Sequence, residues 1–173
     1  MQAARHATSF LFTALIAGIF GLTALAGAAF AKKPGATYCY NSVCHRVKTI
    51  AEMQGLIGYE ETVTASFYDN CKDDPHNPCT PLSSGEEMRG DLPDNAASPI
   101  YPNGTILVLV NPKNEAKALV RVNNSGPYVK GRMLDVSRAA AEQLGFASAG
   151  IAKLKVTVIS GPLTQQSQSS SQQ

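Results

Sequence analysis

The sequence predicts a mainly β protein, a small closed barrel with one or two short helices. Segments such as Val63–Tyr68 and Lys153–Ile159 alternate apolar and polar side chains, the two-residue period of a half-buried strand. Only one stretch, Ser137–Leu144 (SRAAAEQL), reads as a helix within the barrel region. Short strands without intervening long helices favour a closed barrel over a parallel βαβ sheet. A chain of 173 residues suits one domain of ordinary size.

The elements follow in chain order. Arg5 and His6 precede an uncharged run, Ala7–Ala31, that closes on Ala29-Phe30-Ala31. A basic start, an apolar middle and a small-x-small end describe a secretory signal peptide over residues 1–31. An uncleaved membrane anchor is the competing reading, since the run is long enough to span a bilayer. Residues 32–61 form an N-terminal arm in which Cys39 and Cys44 close a small loop, followed by a possible helical turn. Its Lys32-Lys33 pair reads as a solvated N-terminus, and Tyr38, Tyr40 and His45 either cover the disulfide or bind a ligand. Residues 62–160 form the barrel. Val63–Tyr68 opens it, and Asp69–Asn95, rich in Asp, Asn, Pro, Gly and Ser, is one long surface loop of the kind that often carries function. Thr105–Val110 (TILVLV) is a continuous apolar run that fits a buried strand, and Lys117–Val122 is the next. Gly126-Pro127 marks a turn, and Asp135 stands at an acidic helix start that Ser137 can cap and Gly145 can end. Lys153–Ile159 is the last strand, and residues 161–173 are a Gln/Ser-rich tail unable to bury a core.

All four cysteines, Cys39, Cys44, Cys71 and Cys79, lie beyond the apolar run. An even count in an exported chain points to disulfides, and short loops favour Cys39–Cys44 with Cys71–Cys79 among the three possible pairings. Zinc competes, with His45 and His76 close by, but the spacings do not form two C-x-x-C pairs. No Cys follows Ala31 directly, so a soluble periplasmic or secreted protein is expected rather than a lipoprotein, with no stable membrane insertion after cleavage. Removing the leader deletes one Arg and lowers the formal charge from +2 to +1, which leaves no broad electrostatic case for nucleic acid. No phosphate-cradling glycine loop or nucleotide fingerprint is present, and no cofactor is expected. The protein is expected to be a monomer.

The stretch Val120–Ser137, VRVNNSGPYVKGRMLDVS, resembles the core signature of the rare lipoprotein A family, septal lytic transglycosylases whose strand reads like R-I-N-D-R-G-P-F and ends in G-R-x-x-D-L-S. Arg121, Asn123, Gly126, Pro127, Gly131, Arg132, Asp135 and Ser137 match. Ala65-Ser66-Phe67-Tyr68 is similar to the family's A-S-W-Y, Ser84-Gly85-Glu86 to its N-G-E loop, and Asn95–Thr105 to T-A-A-H-K-T-L-P-L-G-T. The resemblance implies a six-stranded double-psi β-barrel and peptidoglycan glycan strands as the partner, with a more distant likeness to expansin and barwin-like barrels. It places functional residues at Glu86, with Glu87 an alternative, at Ser98 where the family has His, and at Asn124 where the family has Asp.

These departures bear on the chemistry. Cleaving a glycan needs an acid on the leaving oxygen; a lytic transglycosylase needs no activated water, because a hydroxyl of the cleaved sugar closes onto its own anomeric carbon. Asn124 has no carboxylic proton, and Ser98 does not titrate near neutrality. The candidate acids are therefore Asp135 and Glu86. Asp135 resembles in position the key acidic residue of expansins, but an Asp there can also bind helix amides and complement the dipole. Tyr68 and Tyr128 are candidates for stacking on sugar faces, and Ser98 and Asn124 for substrate hydrogen bonds. Arg121 either pairs with Asp135 or is solvated. With no matched His, binding is expected to vary little between about pH 5 and 8. Three functions compete on these residues: a lytic transglycosylase, a non-catalytic expansin-like carbohydrate-binding module, and an envelope interaction protein with a vestigial groove.

Overall fold

A computed structural model describes residues 32–74 and 80–162. The expected leader, the tail beyond residue 162, His76 and Cys79 lie outside the described residues. The strands are β1 Thr37–Tyr40, β2 Val43–Arg46, β3 Glu60–Tyr68, β4 Asn95–Ala97, β5 Ile106–Val110, β6 Lys117–Asn124, β7 Leu134–Ser137 and β8 Ile151–Ser160, with helices α1 Ile50–Gln54 and α2 Arg138–Gln143.

Strands β3 to β8 close a barrel in the order β3-β7-β4-β6-β5-β8. The pairs β3–β7 and β4–β6 are parallel, while β3–β8, β4–β7, β5–β6 and β5–β8 are antiparallel. This is a six-stranded double-psi β-barrel with two short helices. Closure leaves the barrel no free edge. Alternation decides which side chains fill it: Ala152, Leu154, Val156 and Val158 of β8 point inward, with Lys153 and Lys155 outward. Leu107 and Leu109 of β5 meet Val120 and Val122 of β6 and Leu134 and Val136 of β7 in the same core. The TILVLV run is thus buried on one face only; Ile106, Val108 and Val110 face outward and are half-buried.

Three elements differ from the sequence reading. β7 lies where a helix start was expected; its four residues contain too few alternations to register as a strand. β4, three residues long, has no measurable period. The arm's disulfide-closed loop is a hairpin, β1 against β2, with Asn41 and Ser42 turning at φ 47° and 63°, the left-handed pair that a tight hairpin turn requires.

Both helices are capped at their N-termini, α2 by the residue expected. Thr49 and Glu52 form a reciprocal capping box on α1. Ser137 accepts from the Ala140 amide at the start of α2, and Gly145 follows at φ 74°. Ala140, Ala141 and Leu144 then seal one end of the core, with Met53 and Phe146 also buried in it.

The N-terminus of the arm is not solvated. Lys32 is buried, and its Nζ donates to the carbonyls of Ser98 at 2.6 Å and Asn124 at 3.1 Å. Val47 is fully buried, and the Lys48 amide donates to Ile100 O at 2.8 Å. Together these contacts fix the arm against the barrel beside the Gly126-Pro127 turn.

Candidate functional site

An open groove of about 950 Å³ runs across the barrel mouth. β3 supplies Phe67 and Tyr68, β4 supplies Ala97, and the end of β6 supplies Asn124. The following turn, where the Gly126–Pro127 peptide is cis, supplies Ser125 to Val129, and β7 supplies Asp135. Tyr68, Asn124, Tyr128 and Asp135, drawn from separate segments, line this one groove. Two of the nominated residues do not.

Ser98 is fully buried. Its hydroxyl donates to Met133 O at 3.2 Å and accepts from the Ile100 and Tyr101 amides at 3.3 and 3.1 Å. It is occupied in turning the chain after β4. Glu86 lies on the exposed outer face of the long loop. Both its oxygens accept from Arg121, each at 2.7 Å, and Oε2 also accepts from Asn123 Nδ2 at 3.2 Å. The Arg121 guanidinium is the main reason its carboxyl stays below the usual range. Arg121 therefore pairs Glu86, not Asp135. Glu87 is exposed in a neighbouring depression with Lys72 and Arg89.

Asp135 is in the opposite situation. The parallel β3–β7 ladder sets it across from Ser66. It does not cap α2, because Ser137 does that. It is half-buried, and its Oδ1 has no hydrogen-bond partner. Burial pushes its pKa from 3.8 up to about 6; the Ser66 hydroxyl and the Arg132 charge pull the other way, and Asp74 adds a like charge. Arg132 Nη1 donates to Ser66 Oγ at 3.3 Å, so it reaches the carboxylate through that hydroxyl. The raised pKa of Asp135 falls between pH 5 and 8 and bears on the expectation of a flat response there, which rested on the lack of a matched His.

Asn124 is oriented by backbone. Its Oδ1 accepts from the Ser125 amide at 2.9 Å and the Ser83 amide at 3.1 Å. That leaves Nδ2 beside the Tyr68 hydroxyl, although no hydrogen bond of good geometry forms. Tyr68 is buried apart from its approach to the groove. Burial, then the Asp135 charge, raises its pKa, so its proton is retained for donation. Asn123 points inward and is fully buried, donating to Asn95 Oδ1 at 2.6 Å as well as to Glu86. It ties the loop to the barrel and does not reach the groove.

Sequence reasoning missed Lys32 and Asn41, and left Tyr40 open between covering the disulfide and binding a ligand. Lys32 backs the groove from behind Asn124, and burial lowers its pKa to about 7. Nothing in a terminal Lys-Lys pair distinguishes a buried lysine from a solvated one. Tyr40 and Asn41 of the hairpin line the groove next to Tyr128. The disulfide Cys39–Cys44 joins paired positions across that hairpin. Cys71 is also disulfide-bonded, and its expected partner Cys79 lies outside the described residues. No helix among the described residues is long and apolar enough to cross a membrane.

The family model described as "Lytic transglycolase" matches residues 60–156, from the start of β3 into β8. The chain belongs to this family. It is an RlpA-like double-psi β-barrel protein: it is 32% identical over 122 residues to "Endolytic peptidoglycan transglycosylase RlpA" of Pasteurella multocida, covering 70% of this chain and 38% of that protein. The protein of the same name from Rickettsia felis is 35% identical over 98 residues, covering 57% of this chain and 42% of its own. The chain thus matches about two fifths of the length of these relatives. Among solved structures, the apo expansin of Clavibacter michiganensis aligns with a TM-score of 0.43 at 18% identity, over 61% of this chain and 52% of that one. The matched region contains Tyr68, Asn124, Tyr128 and Asp135; the arm with Lys32 and Tyr40 lies outside it.

Proposed function

We propose that this RlpA-like barrel is an exported protein that cleaves peptidoglycan glycan strands by lytic transglycosylation, with Asp135 as its single acid. The observation that carries the reading is Asp135 itself: a groove-lining carboxyl whose buried Oδ1 has no hydrogen-bond partner and whose pKa burial raises to about 6. The names of the relatives from Pasteurella multocida and Rickettsia felis supply the glycan class.

In this mechanism the glycan lies in the groove with a sugar face against Tyr128. Asp135 donates its proton to the bridging oxygen as the bond from that oxygen to the anomeric carbon breaks. The leaving sugar departs as an alcohol. A hydroxyl of the remaining sugar then bonds to its own anomeric carbon and returns a proton to the Asp135 carboxylate. No water is consumed, and the acid is regenerated. Arg132, acting through Ser66, steadies the carboxylate formed midway, and Asn124 Nδ2 is the amide donor offered to a sugar oxygen at the groove floor.

Asn124 and Ser98, in place of the family's ionisable pair, favour a second reading, a non-catalytic expansin-like glycan-binding module. Incubation of the purified protein with peptidoglycan, followed by mass spectrometry for anhydro-sugar ends, separates the two. Anhydro products from the wild type that disappear in Asp135→Asn support the enzyme. Retained glycan binding with no products at pH 5 supports the module.

A further inference from the structure

The hairpin β1–β2 is outside the region matched by the family, yet it forms part of the groove. Tyr40 and Asn41 line the same depression as Asp135. The Tyr40 ring is 6.2 Å from that of Tyr128 between centroids, tilted by 52°, and His45 sits 6.4 Å from Tyr128 on the hairpin's second strand. Tyr40 is nevertheless 62% exposed. A tyrosine recruited only to shield a disulfide or fill a core would bury its ring.

The arm is also built to hold this ring still. A two-stranded ribbon of four-residue strands is marginal alone. Here the Cys39–Cys44 disulfide joins its strands. The Gly35 and Val47 amides, donating to Val47 O and Ala36 O at 2.9 Å each, brace its base. Two tilted aromatic rings on a fixed support make an open apolar corner, edged by the Asn41 amide and continuous with the polar groove floor. Rigid aromatics present large contact area at little entropic cost, and the axial C–H face of a pyranose is the apolar surface of a sugar.

We propose that the disulfide-braced hairpin is an additional glycan subsite, with Tyr40 and Tyr128 stacking on a sugar ring one or more units away from the bond cleaved at Asp135. This rests on the glycan reading above. Tyr40 is then a specificity residue: it touches substrate remote from the reacting atoms and selects longer strands over short fragments.

The test is a titration of the purified protein with peptide-free glycan oligosaccharides, from disaccharide to octasaccharide, followed by intrinsic tyrosine fluorescence and by calorimetry. The variants are Tyr40→Ala, Tyr40→Phe and the pair Cys39→Ser with Cys44→Ser. Tyr59→Ala, another exposed tyrosine outside the groove lining, serves as control. Tyr40→Ala should weaken octasaccharide binding by roughly tenfold and disaccharide binding by less than about twofold, the size expected of one aromatic stack. Tyr40→Phe should stay near wild type, the double Ser variant should follow Tyr40→Ala, and Tyr59→Ala should change nothing. In cleavage assays the loss should fall on KM and leave kcat unchanged. Equal binding by Tyr40→Ala and wild type at every length overturns the subsite; if Tyr128→Ala or Tyr68→Ala still weakens binding, the glycan function stands without it. Absence of binding by the wild type at any length overturns both.

Discussion

Asp135, on β7, and Glu86, on the long loop, are both carboxylates of the family motif, and they differ in almost every physical respect. Glu86 is exposed and clamped by the two terminal guanidinium nitrogens of Arg121, which holds it ionised. Asp135 is half-buried at the groove lining, lacks an ion-pair partner among the described residues, and has a buried Oδ1 with no hydrogen-bond partner. The difference shows that a carboxylate's chemistry is set by what its strand packs it against. The loop spends a carboxylate to fasten itself, whereas β7 holds one where burial keeps its proton. Under the proposed function, the second is the candidate acid.

The sharpest way to break this contrast is Asp135→Asn. Cleavage should fall about 10³-fold, the usual range for loss of a general acid, as counted by anhydro-sugar release. Stability should move the other way. The folded pKa of about 6 lies above the ordinary 3.8, so the folded state binds the proton more tightly. Its stabilising contribution is full below pH 3.8 and lost as pH rises through about 6. At pH 7 the ionised side chain therefore costs stability, and the neutral amide should gain about 1–2 kcal/mol in thermal unfolding after allowance for partial exposure. Unchanged cleavage would remove Asp135 from the reaction.

The second expected effect is on pH. With a single acid of pKa about 6, kcat/KM should plateau below that value and fall tenfold per unit above it. In Asp135→Asn any residual rate should lose that inflection. A profile flat from pH 5 to 8 would point to a group other than Asp135.

A smaller change is expected from Asn124→Asp. The two amides that hold Oδ1 would favour an ionised carboxylate there. Its charge, lining the same groove as Asp135, should raise the Asp135 pKa further. The inflection should move up by roughly half a unit to one unit, increasing cleavage at pH 7 by about three- to tenfold. Ser98→His is not the matching repair, because Ser98 is fully buried under a turn; overpacking it should cost about 1–3 kcal/mol.

The barrel was largely legible in the sequence because alternation survives wherever a strand is long enough to show it, as in β3, β6 and β8. β4 and β7 escaped because each is held in register by neighbours on both sides, not by its own pattern. The groove was legible where motif positions coincide with rim positions, at Tyr68, Asn124, Tyr128 and Asp135. Ser98 and Glu86 share the motif spacing, but burial under a turn in one case and a long-range ion pair in the other remove them from the groove. Lys32 escaped, and Tyr40 stayed undecided between two roles, for the converse reason: contacts from Lys32 to Ser98 and Asn124, and from Tyr40 to Tyr128, span much of the chain and leave no local pattern.

The smallest effect sharpens the comparison most, because it tests the other carboxylate. Glu86→Gln removes the charge from the Arg121 pair and keeps an oxygen that can accept one hydrogen bond. Exposed ion pairs contribute about 0–1 kcal/mol, and this one is about 40% exposed on both sides, so stability should fall by no more than roughly that amount. The folded pKa is lowered, so the contribution is present above the unfolded carboxylate range and disappears as pH falls through the folded value. The difference between wild type and Glu86→Gln should therefore vanish in strong acid and shrink in high salt. Cleavage should change by less than about threefold, since Glu86 does not line the groove and its charge is a minor influence on Tyr68 there. A loss comparable to that of Asp135→Asn would mean that the loop swings to bring Glu86 over the substrate, and the two carboxylates would then work as a pair.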